Sequence, residues 1–375
     1  MLKIKQRYQY LQQKCKGLLL DNIAHVSAFT YGNAGDTLLP IAIENTWEIV
    51  FKNVCWKNIH VHKPLSDRIL NRINRSKLLL VGGGGLFLKD TNPNNISGWQ
   101  WPVSVEDIEK IRVPFVLYAV GYNRFRGQED FDEIFKTNIQ CIAERAEYIG
   151  LRNRGSIKRI GEYLPSDLHE KIVYQPCPTT FLSKLHPDLT NYRSKEEFIA
   201  VNIAFDRPKL RFGKEIGRVL MDIATALKEL SRTINIKYFS HMSSDEYFLP
   251  YMDVLDIPYE KVRLNKSTPE KIIMQYARPK LVIGMRGHAQ MIPFGCKTPI
   301  LSLISHDKIK WFLDDVEHPE WGIDLYADDL SEEIVVNAKK LLKSKDAIIS
   351  AIEEKQNDML RISLDNVKSL QPYVG

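Results

Sequence analysis

No run in the 375-residue sequence approaches the ~20 apolar residues that a membrane-spanning helix needs, and the opening Met1–Tyr8 lacks the apolar core of a secretory signal. A cytoplasmic protein is therefore expected, one that reaches the inner face of a membrane only through a partner. Cysteine is sparse: Cys15, Cys55, Cys141, Cys177 and Cys296 are odd in number, widely separated and never spaced C-x-x-C. That pattern argues against a disulfide framework and against a zinc cluster, and it fits a reducing compartment with no bound metal. Basic tracts are absent too. The net charge of +6 comes from dispersed lysines and arginines, so no nucleic-acid footprint is implied. An anionic substrate, an anionic membrane surface and a merely solvated basic surface all accommodate it. Low-complexity segments and short-period repeats are missing as well. With 44% apolar and 26% charged residues, the composition is that of a globular protein able to build a sizeable core without staples.

What is present is alternation. Apolar stretches of strand length at His25–Thr30, Asn58–His62, Lys77–Val81, Phe115–Val120, Tyr148–Arg152 and Lys171–Tyr174 are separated by helical patterns, the clearest at Thr37–Phe51 and Asp132–Ala146. This is the signature of βαβ units and a parallel sheet. A polar segment, Pro187–Glu197, then separates a second series: Phe198–Ile203, Ile234–Phe239, Lys261–Leu264, Lys280–Ile283 and Pro299–Ile304, with helices at Glu215–Ser231 and Pro269–Tyr276. The length suits two domains. Ser331–Leu370 reads as helical and long enough to return across the first domain.

Ligands of open parallel sheets bind beyond the carboxyl ends of the strands, so the residues following each apolar run are the candidates. After the first run come Tyr31-Gly32-Asn33-Ala34-Gly35-Asp36, a tight turn into a helix whose free N–H groups favour an anion or a sugar hydroxyl, with Asp36 as a possible N-cap. The spacing is not G-x-G-x-x-G, which disfavours a dinucleotide. Gly82-Gly83-Gly84-Gly85 follows Leu78–Val81 directly and signals close approach of a ligand or of another backbone. The Lys and Ser/Thr of a P-loop are missing, so a nucleoside triphosphate is not supported. Arg152-Asn153-Arg154-Gly155-Ser156 places a guanidinium suited to carboxylate or phosphate, and a hydroxyl, at another strand end, with a surface salt bridge and helix capping as the structural alternatives.

The strongest constellation is Gly284-Met285-Arg286-Gly287-His288, where a strand delivers one anion-gripping cation and one group that titrates near neutral pH. His241, with Asp245 and Glu246, and the pair His306 and Lys308 end two further strands. Each fits ordinary capping; together they suggest one shared anionic ligand.

These motifs in this order resemble the polysaccharide pyruvyl transferases: Gly32–Asp36, the Gly82–Gly85 run, Leu151–Ser156, and Arg286-Gly287-His288-Ala289 with Pro299 and Lys308 downstream. The resemblance implies an α/β fold of two Rossmann-like domains in a GT-B-like arrangement with a cleft between. Residues 1–190 would form the acceptor side, 191–345 the donor side, and 346–375 a helix packing back towards the first domain. It implies phosphoenolpyruvate as donor substrate, no cofactor and no metal, and transfer of pyruvyl onto two hydroxyls of a saccharide, free or lipid-linked, as a cyclic ketal. His288, Arg286 and Arg152 are then the catalytic candidates, with His288 as proton donor and the arginines as anion holders. Asn33, Gly35, Asp36, Gly83, Gly84, Gly85, Ser156, His241 and Lys308 are the substrate-binding candidates, and the loops Asp90–Trp101 and Asn123–Asp130 the acceptor loops. The chain departs from many relatives at three places: Arg286-Gly287-His288 replaces Arg-Leu-His, Arg152-Asn153 replaces Arg-Asp, and Cys177-Pro178 replaces Asp-Pro. Two competing expectations are a nucleotide-sugar glycosyltransferase sharing the cleft and a binding protein that keeps the fold without catalysis.

Overall fold

A computed structural model describes residues 21–89, 95–191 and 195–374. Two six-stranded sheets, all of whose neighbouring strands run parallel, account for both series of apolar runs. The first contains β1 (Asp21–Ser27), β2 (Val54–His60), β3 (Leu78–Phe87), β4 (Phe115–Tyr122), β5 (Tyr148–Leu151) and β6 (Ile172–Tyr174), in the order β2-β1-β3-β4-β5-β6. The second contains β7 (Glu196–Asn202), β8 (Asn235–Ser240), β9 (Tyr259–Arg263), β10 (Pro279–Gly284), β11 (Ile300–Ile304) and β12 (Gly322–Asp324), in the order β12-β11-β10-β7-β8-β9. Helices cover both faces of each sheet. Hence every residue of β4 is buried, and its sequence is a continuous apolar run rather than an alternating one.

Chain direction across the sheet reverses between β1 and β3 in the first unit and between β10 and β7 in the second. At such switch points the loops leaving the two strands splay to opposite faces and leave a crevice. The crevice of the first unit is bordered by the segment after β1, which leads into the helix Ala34–Val50; that of the second is bordered by the segment after β10, which leads into the helix His288–Gly295.

Three local features differ from the sequence expectations. Strand β3 does not stop at Val81 but continues through all four glycines to Phe87. A β-carbon at Gly82 would collide with the Tyr118 carbonyl, and one at Gly83 would lie 3.0 Å from the Ala119 carbonyl oxygen, so these glycines let β3 lie tightly on β4. Strand β12 went unseen because three residues, Gly322-Ile323-Asp324, carry no readable period. The tail forms two helices, Leu330–Lys343 and Lys345–Ser369, broken at Ser344.

The last helix joins the two units. Its buried Gln356 donates to the Phe294 carbonyl (2.6 Å) and accepts from Ser183 Oγ (2.6 Å), while Asn366 donates to the Tyr174 carbonyl (2.9 Å) and Gln175 donates to Ser363 Oγ (3.0 Å). Satisfying these interior polar groups pairwise fixes the helix in one register. One apolar cluster includes Leu39, Trp47 and Tyr118 from the first unit and Ile283, Met291 and Phe294 from the second.

The proposed acceptor loops also come out differently. Residues 90–94 lie outside the described set, as do 192–194 of the polar segment between the two series. Trp99 and Trp101 are core residues, the Trp99 indole donating to Asn138 Oδ1 at 2.8 Å, so neither ring faces a ligand. Cys55 is disulfide-bonded, and the expectation of free thiols holds for Cys141, Cys177 and Cys296.

Candidate functional site

The two crevices face each other, and contact between them is made by residues that the sequence singled out separately. The helix Ala34–Val50 starts three residues earlier than its apolar period suggested, because Asn33 caps it: the Asn33 side-chain oxygen accepts the Gly35 N–H at 3.0 Å. Asp36 is therefore not the N-cap but sits in the first turn, its Oδ2 receiving Asn33 Nδ2 at 2.9 Å. The Ala34 N–H of the first unit donates to the His241 carbonyl of the second at 3.2 Å. Gly35 packs directly on the imidazole of His288, with no room for a β-carbon between them.

His288 is the first residue of its helix, reached through Gly287 at the end of β10. Its Nε2 lies 3.9 Å from the thiol of buried Cys177. Burial, and then the neighbouring Arg152, His241 and Lys308, hold the His288 imidazole well below its ordinary pKa and favour the neutral ring.

Arg286 is committed within the second unit. Its Nη2 and Nε grip Asp245 at 2.5 to 3.1 Å, and its Nη1 reaches Asp206 at 2.8 Å. Asp206 is shared with Arg211 at 2.9 and 3.0 Å. Burial alone would raise the Asp206 carboxyl, but Arg286 and Arg211 hold it far below the carboxylate range. Asp245 also accepts the backbone N–H groups of His241 (3.0 Å) and Met242 (3.2 Å). Arg286 therefore acts as the hub of a saturated ion-pair network.

Arg152 is the opposite case. It is 5% exposed, and its Nε and Nη2 have no hydrogen-bond partner among the described residues. It fills the space beside Gly121, where a β-carbon would overlap its guanidinium, and one at Gly85 would lie 3.4 Å from its Nη2. Burial lowers its affinity for the proton, against the pull of Cys177 and Asp36, yet a guanidinium remains charged at any physiological pH. Lys308, in the first turn of the helix Asp307–Asp315, likewise has no ion-pair partner among the described residues, and burial with Arg152 and Arg211 nearby depresses its pKa strongly. Two cations with no ion pair among the described residues, buried Arg152 and half-buried Lys308, thus border His288, while Asp36 acts on Arg152 and Asp206 on Lys308 from beyond ion-pairing distance.

The sequence does not match any curated protein. Residues 33–307, well over half of the chain, match the family described as polysaccharide pyruvyl transferase. The chain belongs to that family. Among solved structures it is similar to Anabaena Alr3699/HepE in complex with UDP and glucose (TM-score 0.56, 11% identity, covering 94% of this chain and 100% of the other). A UDP-GlcNAc 2-epimerase from Neisseria meningitidis bound to UDP-GlcNAc gives a TM-score of 0.55 at 10% identity, covering 94% and 100%. The MnaA–UDP co-structure from S. aureus gives 0.53 at 12%, covering 89% and 91%. At such low identity these matches speak to fold alone, which is that of two Rossmann-like domains in the GT-B arrangement.

In this member of the pyruvyl transferase family, the cleft gathers Gly35, Asp36, Gly85, Arg152, His241, Arg286, His288 and Lys308. Other sequence candidates stand elsewhere. Gly83 and Gly84 lie within β3, packed near Ile43 and Leu39 respectively. Ser156 accepts the Tyr122 N–H at 2.9 Å and gives its own N–H to Asn153 at 2.7 Å, which caps the helix Arg154–Gly161, so its hydroxyl serves the fold. His241 is fully buried, with Nε2 hydrogen-bonded to the Tyr276 hydroxyl, and burial pushes its pKa down to about 3. Asp206, Arg211 and His62 escaped the sequence reading. Asp206 follows the end of β7 at the switch point, one of the strand ends whose following residues the sequence did not single out. Among the described residues no group of His, Cys, Asp and Glu is placed to hold a metal ion, and no helix is long and apolar enough to cross a membrane.

Proposed function

We propose that the chain transfers the pyruvyl group of phosphoenolpyruvate to two hydroxyls of a saccharide, releasing phosphate and closing a cyclic ketal. The observation that carries this is the pair of cations without an ion-pair partner among the described residues, Arg152 and Lys308, flanking His288. A buried charge without a partner is costly in the free protein and is retained where a ligand supplies the counter-charge. Phosphoenolpyruvate brings two anionic groups, a carboxylate and a phosphate, to meet two cations. Arg286 is less suited to this role than the sequence implied, because Asp206 and Asp245 already neutralise it; it holds the architecture around the donor.

Ketal formation begins by protonating the methylene carbon of the enol, which makes the adjacent carbon electrophilic. His288 is the proton donor in this reading. Burial, with Arg152 and Lys308 beside it, favours its neutral form. A trianionic donor seated on those cations cancels their effect and favours the imidazolium, so donor binding and proton uptake are coupled. No step calls for a metal or cofactor.

The acceptor saccharide, free or lipid-linked, occupies the first-unit side of the cleft. A nucleotide-sugar glycosyltransferase is the competing reading, favoured by the UDP in the fold neighbours. Thermal stabilisation separates the two, since a ligand at a hundred times its Kd adds about 2.7 kcal/mol to folding stability. Stabilisation by phosphoenolpyruvate and not by UDP or GDP supports pyruvyl transfer; the reverse pattern overturns it. With an acceptor supplied, phosphate release should be undiminished by chelators and should fall ~10²- to 10⁴-fold in His288→Ala, whose fold is retained.

A further inference from the structure

We propose that Asp36 is the base that takes the proton from the acceptor hydroxyl attacking first. This rests on the pyruvyl-transfer reading above and assigns the acceptor half of that reaction.

Proton bookkeeping leaves a place for such a group. His288 gives a proton to the methylene carbon, which becomes the methyl of the ketal. The first acceptor oxygen bonds to the neighbouring carbon and sheds its proton to Asp36. The second acceptor oxygen then bonds to the same carbon as the carbon–oxygen bond to phosphate breaks, and its proton returns to His288. The proton held by the base leaves with the departing phosphate. Both hydroxyl protons are accounted for, one in the methyl group and one on phosphate, and no outside acid or oxidant is consumed.

Of Asp36, Glu44, Asp206, Asp245 and Asp315, the carboxylates nearest the cleft, Asp36 alone has no arginine or histidine within ion-pairing distance among the described residues. Asp206 and Asp245 are clamped by Arg286 and Arg211. Glu44 is bonded to His25 at 3.0 Å, and Asp315 accepts the Arg154 N–H at 3.3 Å at the start of a helix. Asp36 receives a single neutral donor, Asn33 Nδ2, and has no ion-pair partner among the described residues. It adjoins Gly35, which touches His288, and Lys308 acts on both Asp36 and His288.

The surroundings suit both the anion and a polyol. The free N–H groups of the first helical turn favour a carboxylate there. Burial pushes the Asp36 pKa up to about 6, against Arg286, His62 and Lys308, and Arg152 also interacts with it; each of these favours its ionisation. A base with that value is ionised at neutral pH yet still takes a proton readily. Beside it, His62 Nε2 meets Gln100 Oε1 at 2.9 Å and Gln100 Nε2 donates to the Gly85 carbonyl at 3.1 Å, a shelf of polar groups of the kind that orients sugar hydroxyls.

The test is steady-state phosphate release from phosphoenolpyruvate with a saccharide acceptor, comparing wild type, Asp36→Asn and Asp36→Glu across pH 5 to 8. Asp36→Asn is isosteric and keeps a partner for Asn33. Its kcat should drop ~10²- to 10⁴-fold, KM for phosphoenolpyruvate should stay within ~threefold, and the fall in rate below pH 6 expected of the wild type should vanish. Asp36→Glu should recover part of the rate. Wild-type kcat in Asp36→Asn, retention of that acid limb, or a loss confined to KM for phosphoenolpyruvate overturns the assignment. Absence of phosphate release by the wild type overturns the parent reading and the assignment with it, and is read before any variant is made.

Discussion

Gly35 of the first unit lies against the imidazole of His288 in the second, and a β-carbon at position 35 has no space that the ring does not already fill. Gly35→Ala should therefore push His288 from its place while leaving the helix cap at Asn33 intact. A misplacement of ~1 Å at a reacting group costs on the order of 10² in rate, so turnover should fall by about that much with little change in far-ultraviolet circular dichroism. Combining Gly35→Ala with His288→Ala should restore any lost thermal stability without restoring turnover.

Arg152 should behave as a group kept for function at the expense of stability. Replacing its uncompensated guanidinium with the similarly long, uncharged side chain in Arg152→Met removes a desolvated charge, and the free protein should gain ~1 to 2 kcal/mol in chemical denaturation. The same variant should lose stabilisation by phosphoenolpyruvate. A variant both less stable and still responsive to phosphoenolpyruvate would contradict the role given to Arg152.

Arg286 should show the reverse. Arg286→Met strands Asp245 and half of Asp206 without a counter-charge, and breaking a buried pair in this way costs ~3 to 5 kcal/mol. Adding Asp245→Asn should return part of that loss, giving a coupling energy measurable in a double-mutant cycle. Additive losses would mean that the network is not the unit described.

His241 makes stability depend on pH with a definite sign. Its folded pKa of about 3 lies below the usual 6.5, so between those values the unfolded state binds a proton that the folded state refuses. The contribution is complete above pH 6.5 and is lost as pH falls towards 3, amounting to about 2 kcal/mol by pH 5. Asp36, whose pKa is raised to about 6, acts in the opposite direction between roughly 4 and 6. Comparison of wild type with His241→Asn isolates the histidine: between pH 7 and 5 the wild type should lose about 2 kcal/mol more than the variant.

The alternation of apolar runs and helical periods was enough to read two parallel sheets, because strands buried on both faces leave unbroken apolar signatures such as Phe115–Tyr122. The glycine run left two neighbours open for a physical reason. Close backbone approach looks the same in sequence whether the neighbour is a ligand or β4, and at Gly82 and Gly83 it is β4. The site was legible as a set of strand ends but not as a distribution of charge. Arg152 and Arg286 look alike in sequence, both following a strand, and only the positions of Asp206 and Asp245, brought in from β7 and from beyond β8, make one saturated and the other free. Asn33 and Asp36 posed the same difficulty at smaller scale, since either can cap a helix and one hydrogen bond to Gly35 decides.

Phe125, in the loop after β4, carries its ring from the first unit into the second, where it stacks on His306 with centroids 4.6 Å apart and lies under the Arg211 guanidinium at 5.0 Å. Next to it Arg126 pairs with Asp324 at 2.5 and 2.8 Å. These contacts make a clasp across the mouth of the cleft. Swinging the units apart strips an aromatic ring of its cationic neighbours and bares it to water, so the motion runs against a gradient and the return is spontaneous. Opening the cleft would therefore require two unlike contacts, one aromatic and one ionic, to break together.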